Sequence, residues 1–156
     1  MTTRYDIAIL GAGPVGMALA LMLTRNAADP GRIALFGRGG SLASTDARDP
    51  RTLALNEGSR LTLQSLHAWP ALHAAIQNIH ISQSGRLGRT LIQHTDFDVP
   101  ALGYVTHYTS LTDALEAQLN ASGIARHRPV KIADVKQDVG SGTRTAGSAY
   151  AETDTH

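Results

Sequence analysis

Gly11, Gly13 and Gly16 stand in the spacing G-x-G-x-x-G, within the run Gly11-Ala12-Gly13-Pro14-Val15-Gly16. The chemistry open to such a turn is the holding of a phosphate. Gly11 permits a tight turn, and Gly13 lets a pyrophosphate approach the backbone with no Cβ in the way. Gly16 lets a helix pack closely on the strand before it. Pro14 suits the first turn of a helix, where its missing N–H costs nothing. Free N–H groups and the positive end of the helix dipole would then face the anion. Gly11, Ala12, Gly13, Pro14, Val15 and Gly16 are therefore candidate cofactor-binding residues. The alternative is an ordinary glycine-rich turn, and the flanks argue against it. Residues 5–10 read as a short buried parallel strand, and 17–23 are mostly strong helix formers. That context is what a dinucleotide-binding turn requires.

The elements that must position this turn follow in order. Helix one is expected from Pro14 to Arg25, with a return over 26–31 and a second parallel strand over 32–36. A dinucleotide fold normally ends that strand in an Asp or Glu that binds a ribose hydroxyl. Here the position is Gly37, followed by Arg38-Gly39-Gly40. Arg38 is a candidate phosphate partner, with a solvated surface charge as the alternative.

Residues 41–49 are small and polar and read as a loop. A helix is expected from about Gly58 to His67, with Leu61, Leu63 and Leu66 as its apolar positions, ended by Trp69-Pro70. Residues 71–76 read as a further helical turn. Alternation over 78–82 and 89–92, around a glycine-containing connection, predicts an antiparallel pair outside the parallel sheet. Residues 96–100 read as loop and 101–105 as a short strand. Ser110-x-x-Asp113 resembles an acidic capping box ahead of Leu111, Ala114, Leu115 and Leu119, and Asn120-Ala121-Ser122-Gly123 supplies the stop. Residues 130–135 are a strand candidate, and 139–156 read as a polar tail.

Composition narrows the classes of function. An apolar fraction of 42% with 17% charged residues suits a soluble globular domain, and a net charge of +1 carries no nucleic-acid footprint. With no cysteine, thiolate nucleophiles, disulfides and Cys-ligated metals are excluded. The seven histidines show no metal-ligand spacing, so no metal site is expected. No apolar run approaches the length of a membrane span, which makes a cytoplasmic protein the default reading.

Five pieces in one order carry a family resemblance: GAGPVG, DPRTLALNEGSRLTLQSLHAWP, IHISQSGRLGRTLI, ALGY and SLTDALEAQL. Together they resemble the flavin-dependent hydroxylases of ubiquinone biosynthesis (the UbiH/VisC group), which share the para-hydroxybenzoate hydroxylase fold. The likeness runs from about Tyr5 to at least Leu119. The D-P-R-T run and its Trp-Pro exit are its most specific parts. The resemblance implies an α/β, Rossmann-like FAD-binding domain with parallel strands plus part of an antiparallel layer. It implies a partial FAD-binding domain over 1–138, with 78–105 contributing to a substrate layer.

The activity implied is that of an FAD-dependent, NAD(P)H- and O₂-using monooxygenase. Its substrate would be a small polyprenylated phenol, as for 2-octaprenyl-6-methoxyphenol hydroxylase. The full enzyme would act in the cytoplasm, peripheral to the inner membrane or within a biosynthetic complex. On this pattern Gly11, Gly13 and Gly16 line the FAD pyrophosphate. Arg51 sits near the ribityl and phosphate groups, a fixed bidentate cation, with a plain surface arginine as the alternative. For Arg60 and Ser59, helix-start positions facing solvent stand as an equal alternative, and neither is taken as a site residue.

The departures have consequences. Gly37 removes an adenosine anchor, and Tyr108 stands roughly where related enzymes place Gln, Asn or Arg. The family's later Ala-Asp-Gly and Gly-Asp-Ala segments do not occur. The chain thus reads as the N-terminal piece of a longer enzyme, inactive by itself. No catalytic residue is assigned, because in such enzymes the cofactor performs the difficult step. Two other readings stand beside this one. The chain could be another FAD- or NAD-dependent oxidoreductase sharing only the nucleotide motif, or a non-catalytic remnant.

Overall fold

The computed structural model of the 156-residue chain describes residues 5–26, 29–37, 49–85 and 88–127, and the backbone of 131–137 and 149–154. Its organising unit is a parallel sheet. Strand β1 (Ile7–Leu10) pairs with β2 (Ile33–Phe36) in the register Ile7 to Ile33 and Leu10 to Phe36. Strand β8 (Ala125–His127) adds to the other side of β2, again parallel. The central strand β2 is buried along its whole length, which is why it reads Ile-Ala-Leu-Phe without alternation.

Helix α1 (Pro14–Arg25) has the bounds expected from the sequence, beginning at Gly13-Pro14 and ending at Asn26. It packs with α3 (Tyr108–Ser122) in one apolar core. Met17, Ala20 and Leu21 of α1 meet Leu111, Leu115 and Leu119 of α3 there, against Ile9, Ile33 and Leu35 of the sheet. The three α3 leucines repeat every four residues, so they share a helix face. Gly123 ends α3 in the left-handed conformation (φ 77°) that glycine tolerates best.

A second, antiparallel sheet holds β3 (Thr52–Leu55), β7 (Gly103–His107) and β4 (His73–Ile76), with β7 in the middle. Between β3 and β4 lies α2 (Glu57–Ser65), capped by the Asn56 side chain on the Ser59 N–H at 2.8 Å. The expected hairpin is present: β5 (Asn78–Ser82) pairs with β6 (Arg89–Gln93), from Asn78 opposite Gln93 to Ser82 opposite Arg89. It forms its own two-stranded sheet. The fold is therefore α/β, a parallel sheet with helices beside antiparallel sheets.

Several local expectations are corrected. Residues 73–76 are a strand, because pairing with β7 outweighs the helix preference of Ala74 and Ala75. Helix α3 begins at Tyr108, so Ser110 lies inside its first turn and the expected capping box is not made. Leu61 is exposed while Leu63 and Leu66 are buried. Residues 94–97 form a 3-10 turn. Strand β9 (Lys131–Gln137) answers the candidate at 130–135, and β10 (Ala149–Asp154), within the stretch read as polar tail, pairs antiparallel with it.

Candidate functional site

The glycine turn is held by the sheet it leaves. The Gly11 N–H donates to the Phe36 carbonyl at 2.8 Å, which fixes the turn to the end of β2. Gly11 has φ 120°, a conformation side chains rarely adopt, so glycine is required there on backbone grounds alone. A Cβ on Gly16 would overlap the Gly11 carbonyl oxygen and stand 3.5 Å from Ile9 Cγ2. The helix therefore approaches the strand only because residue 16 has no side chain.

Gly13 differs from both. A Cβ there would meet nothing nearer than the Tyr108 hydroxyl at 3.9 Å. The fold leaves room for an atom at Gly13 without needing it empty for packing. Gly13 is also the N-cap of α1 and supplies no side-chain hydrogen bond. Its carbonyl accepts the Met17 N–H at 2.9 Å, closing the first helical turn. Pro14 occupies N1, and the Val15 side chain is 83% exposed. A helix start without a side-chain cap, behind an accessible glycine, suits a diphosphate.

The Tyr108 hydroxyl approaches this turn, and Arg51 ties Tyr108 to the second sheet. The Tyr108 N–H donates to the Arg51 carbonyl at 2.9 Å, so the start of β3 and the start of α3 are tied together. The Arg51 guanidinium lies over the Tyr108 ring, 4.2 Å from its centre. Asp49 takes the Nε edge of the same guanidinium, at 2.9 Å to each carboxylate oxygen, and also pairs with Nη2. Arg51 beside it holds the Asp49 carboxyl below the usual range, and Asp49 raises Arg51 in return. Arg51 is thus solvent-exposed yet held on two sides. Ala12, like the glycines around it, lies in the turn between β1 and α1. Arg38 lies outside the described residues.

Two features escaped the sequence reading. Arg60 does not face solvent: it pairs with Glu57, donates to Gln64 Oε1 at 2.7 Å, and lies 5.7 Å from the centre of the Tyr104 ring. Tyr104 in turn packs edge-on against Trp69 at 5.4 Å, so this group joins α2 to β7. The i,i+3 spacing of Glu57 and Arg60 was the available signal. Asp49 was the other, since an Asp two residues before an Arg often accepts that residue's N–H, as Asp49 does at 3.1 Å. Among the described residues no group of three His, Asp or Glu side chains could hold a metal ion.

No protein-family model matches the chain. Solved structures of oxygenases do share its fold. The p-nitrophenol 4-monooxygenase PnpA from Pseudomonas putida DLL-E4 matches with a TM-score of 0.64 at 15% identity, over 88% of this chain and 35% of that one. A variant of 2-methyl-3-hydroxypyridine-5-carboxylic acid oxygenase gives 0.60 at 15% identity, over 84% of this chain and 33% of its own. The peptidyl tryptophan dihydroxylase QhpG gives 0.52 at 16% identity, over 97% and 29%. At such identities the likeness establishes the fold alone. The chain spans about a third of the length of these structures.

Proposed function

We propose that this chain is the dinucleotide-binding part of a flavin-dependent monooxygenase, with FAD as cofactor and NAD(P)H as electron donor. The substrate proposed is a polyprenylated phenol of ubiquinone biosynthesis. The observation that carries the reading is the turn at Gly13. It is accessible, it starts a helix with no side-chain cap, and the Tyr108 hydroxyl stands beside it, with Arg51 over the Tyr108 ring, in a fold shared with oxygenases.

The residues present suit the diphosphate of FAD. In this reading the first-turn N–H groups of α1 receive the phosphate oxygens, and Gly13 lets them approach. Arg51 supplies positive charge beside the turn, and the Tyr108 hydroxyl a further hydrogen bond. Gly37 offers the adenosine ribose no carboxylate, so this half holds the nucleotide less firmly than the fold normally allows. Bound flavin would supply the activation of oxygen for hydroxyl transfer. That chemistry needs a site closed to water.

The 156 residues alone are proposed to bind FAD weakly and reversibly and to hydroxylate no phenol. No Ala-Asp-Gly or Gly-Asp-Ala segment is available to enclose the rest of the cofactor. Association of the full enzyme with the cytoplasmic membrane surface is proposed as peripheral. Among the described residues no helix is long and apolar enough to cross a membrane. The test is to add FAD to the purified chain and follow bound flavin together with NADPH- and O₂-dependent phenol hydroxylation. Weak flavin binding without product supports the reading. One tightly held FAD per chain with coupled product would overturn the inactivity, and absence of flavin binding would overturn the cofactor.

A further inference from the structure

We propose that Asp49 is a positioning residue for the dinucleotide: it holds Arg51 side-on against Tyr108, so that cation and phenol hydroxyl are set beside the Gly13 turn before the nucleotide arrives. The inference rests on the FAD reading above and assigns a role to a residue outside the glycine motif.

The geometry carries it. A free arginine side chain on the surface samples many rotamers, and binding an anion would have to freeze them. Arg51 is 63% exposed, yet three contacts restrain it. Asp49 receives Nε and Nη2 in a fork-to-fork arrangement, which fixes the guanidinium plane. The Tyr108 ring lies under that plane at 4.2 Å. The Asp49 carboxylate also accepts the Arg51 N–H at 3.1 Å, so the carboxylate is itself anchored to the backbone of the residue it orients. Tyr108 completes the path, since its hydroxyl is the nearest atom to where a Cβ on Gly13 would lie, at 3.9 Å.

A carboxylate so close to a diphosphate also repels it, and the two effects have opposite signs. Arg51 neutralises Asp49, and at an exposed site salt screens what repulsion is left. Screening does not touch orientation. The positioning effect should therefore win, and it should persist at high salt.

The test is equilibrium titration with FAD, and with ADP as a second probe, of the whole chain and of Asp49→Asn, Asp49→Glu, Arg51→Ala and the double variant Asp49→Asn/Arg51→Ala. Asp49→Asn is expected to weaken binding about three- to tenfold, while Asp49→Glu, which keeps the charge, stays within about threefold of the parent. In the Arg51→Ala background Asp49→Asn should add no further loss, because the residue acts through the arginine. Tighter binding in Asp49→Asn, or an equal loss with and without Arg51, overturns the inference while leaving the FAD reading in place. A parent chain that binds neither FAD nor ADP overturns both.

Discussion

The Arg51 guanidinium lies 4.2 Å from the centre of the Tyr108 ring, and the Arg51 carbonyl accepts the Tyr108 N–H at 2.9 Å. One residue pair thus fixes the start of β3 to the start of α3 twice, through backbone and through side chain. The backbone link survives any substitution of the arginine side chain, so the fold and the proposed anion site separate experimentally. Arg51→Ala is expected to leave the thermal midpoint nearly unchanged and to weaken ADP and FAD binding about tenfold, the loss of a charge-assisted contact. Calorimetry and nucleotide titration on the same preparation check both halves.

Gly13 and Gly16 should fail in different ways. Gly16→Ala places a methyl group on the Gly11 carbonyl, where backbone rather than a flexible side chain must move. It should cost more than about 3 kcal/mol, a large share of the roughly 5–15 kcal/mol that holds a domain folded. Gly13→Ala meets only open space and the Tyr108 hydroxyl. It should fold with near-parental stability and lose nucleotide affinity. Urea unfolding of both variants, followed by FAD titration of whichever folds, distinguishes a packing glycine from a binding glycine.

Glu57 and Tyr104 should shape the two pH limits of stability. The hydrogen-bonded Arg60 guanidinium holds the Glu57 carboxyl below the usual glutamate range. The contribution is therefore complete above the ordinary glutamate value of about 4.3 and is lost as pH falls through the lower folded value. Tyr104 moves upward, through burial first and its bond to Glu57 second. Its contribution is complete below the ordinary tyrosine value of about 10 and is lost as pH rises through the higher folded value. Glu57→Gln should flatten the acid limb of a stability–pH curve and lower the Tyr104 titration seen by tyrosinate absorbance. An unchanged acid limb would show that the pair contributes nothing.

The β5–β6 hairpin exposes Ile79, Ile81 and Leu91, and both strands are edges. Exposed apolar edges of this kind favour association. Ile81→Lys with Leu91→Lys should reduce concentration-dependent self-association in sedimentation without changing FAD affinity, because both residues lie on the separate two-stranded sheet.

Much of the fold was legible because local signals agreed with the tertiary structure. Gly13-Pro14 and Asn26 bracket α1, Gly123 stops α3, and alternation around Gly85 marks the hairpin. Strand β4 was hidden because His73-Ala74-Ala75-Ile76 becomes a strand only through pairing with β7, a partner some 30 residues away. The start of α3 was misplaced because Ser110 offered a local cap, whereas the helix is started by the Arg51 carbonyl holding Tyr108. The glycine turn between β1 and α1 could be read from spacing. The grouping of Asp49, Arg51 and Tyr108 could not, since it depends on two strands and a helix meeting across 59 positions of sequence, from 49 to 108.

On the reading proposed above, the turn from Gly11 to Gly16 receives the diphosphate of a flavin dinucleotide. The measurement that tests it most directly is fluorescence titration of FAD with the parent chain and with Gly13→Val, in the presence and absence of ADP. The parent should bind weakly and saturably, ADP should displace the flavin, and Gly13→Val should lose at least about tenfold in affinity. Equal FAD binding by Gly13→Val and the parent, or binding that ADP does not displace, would contradict it.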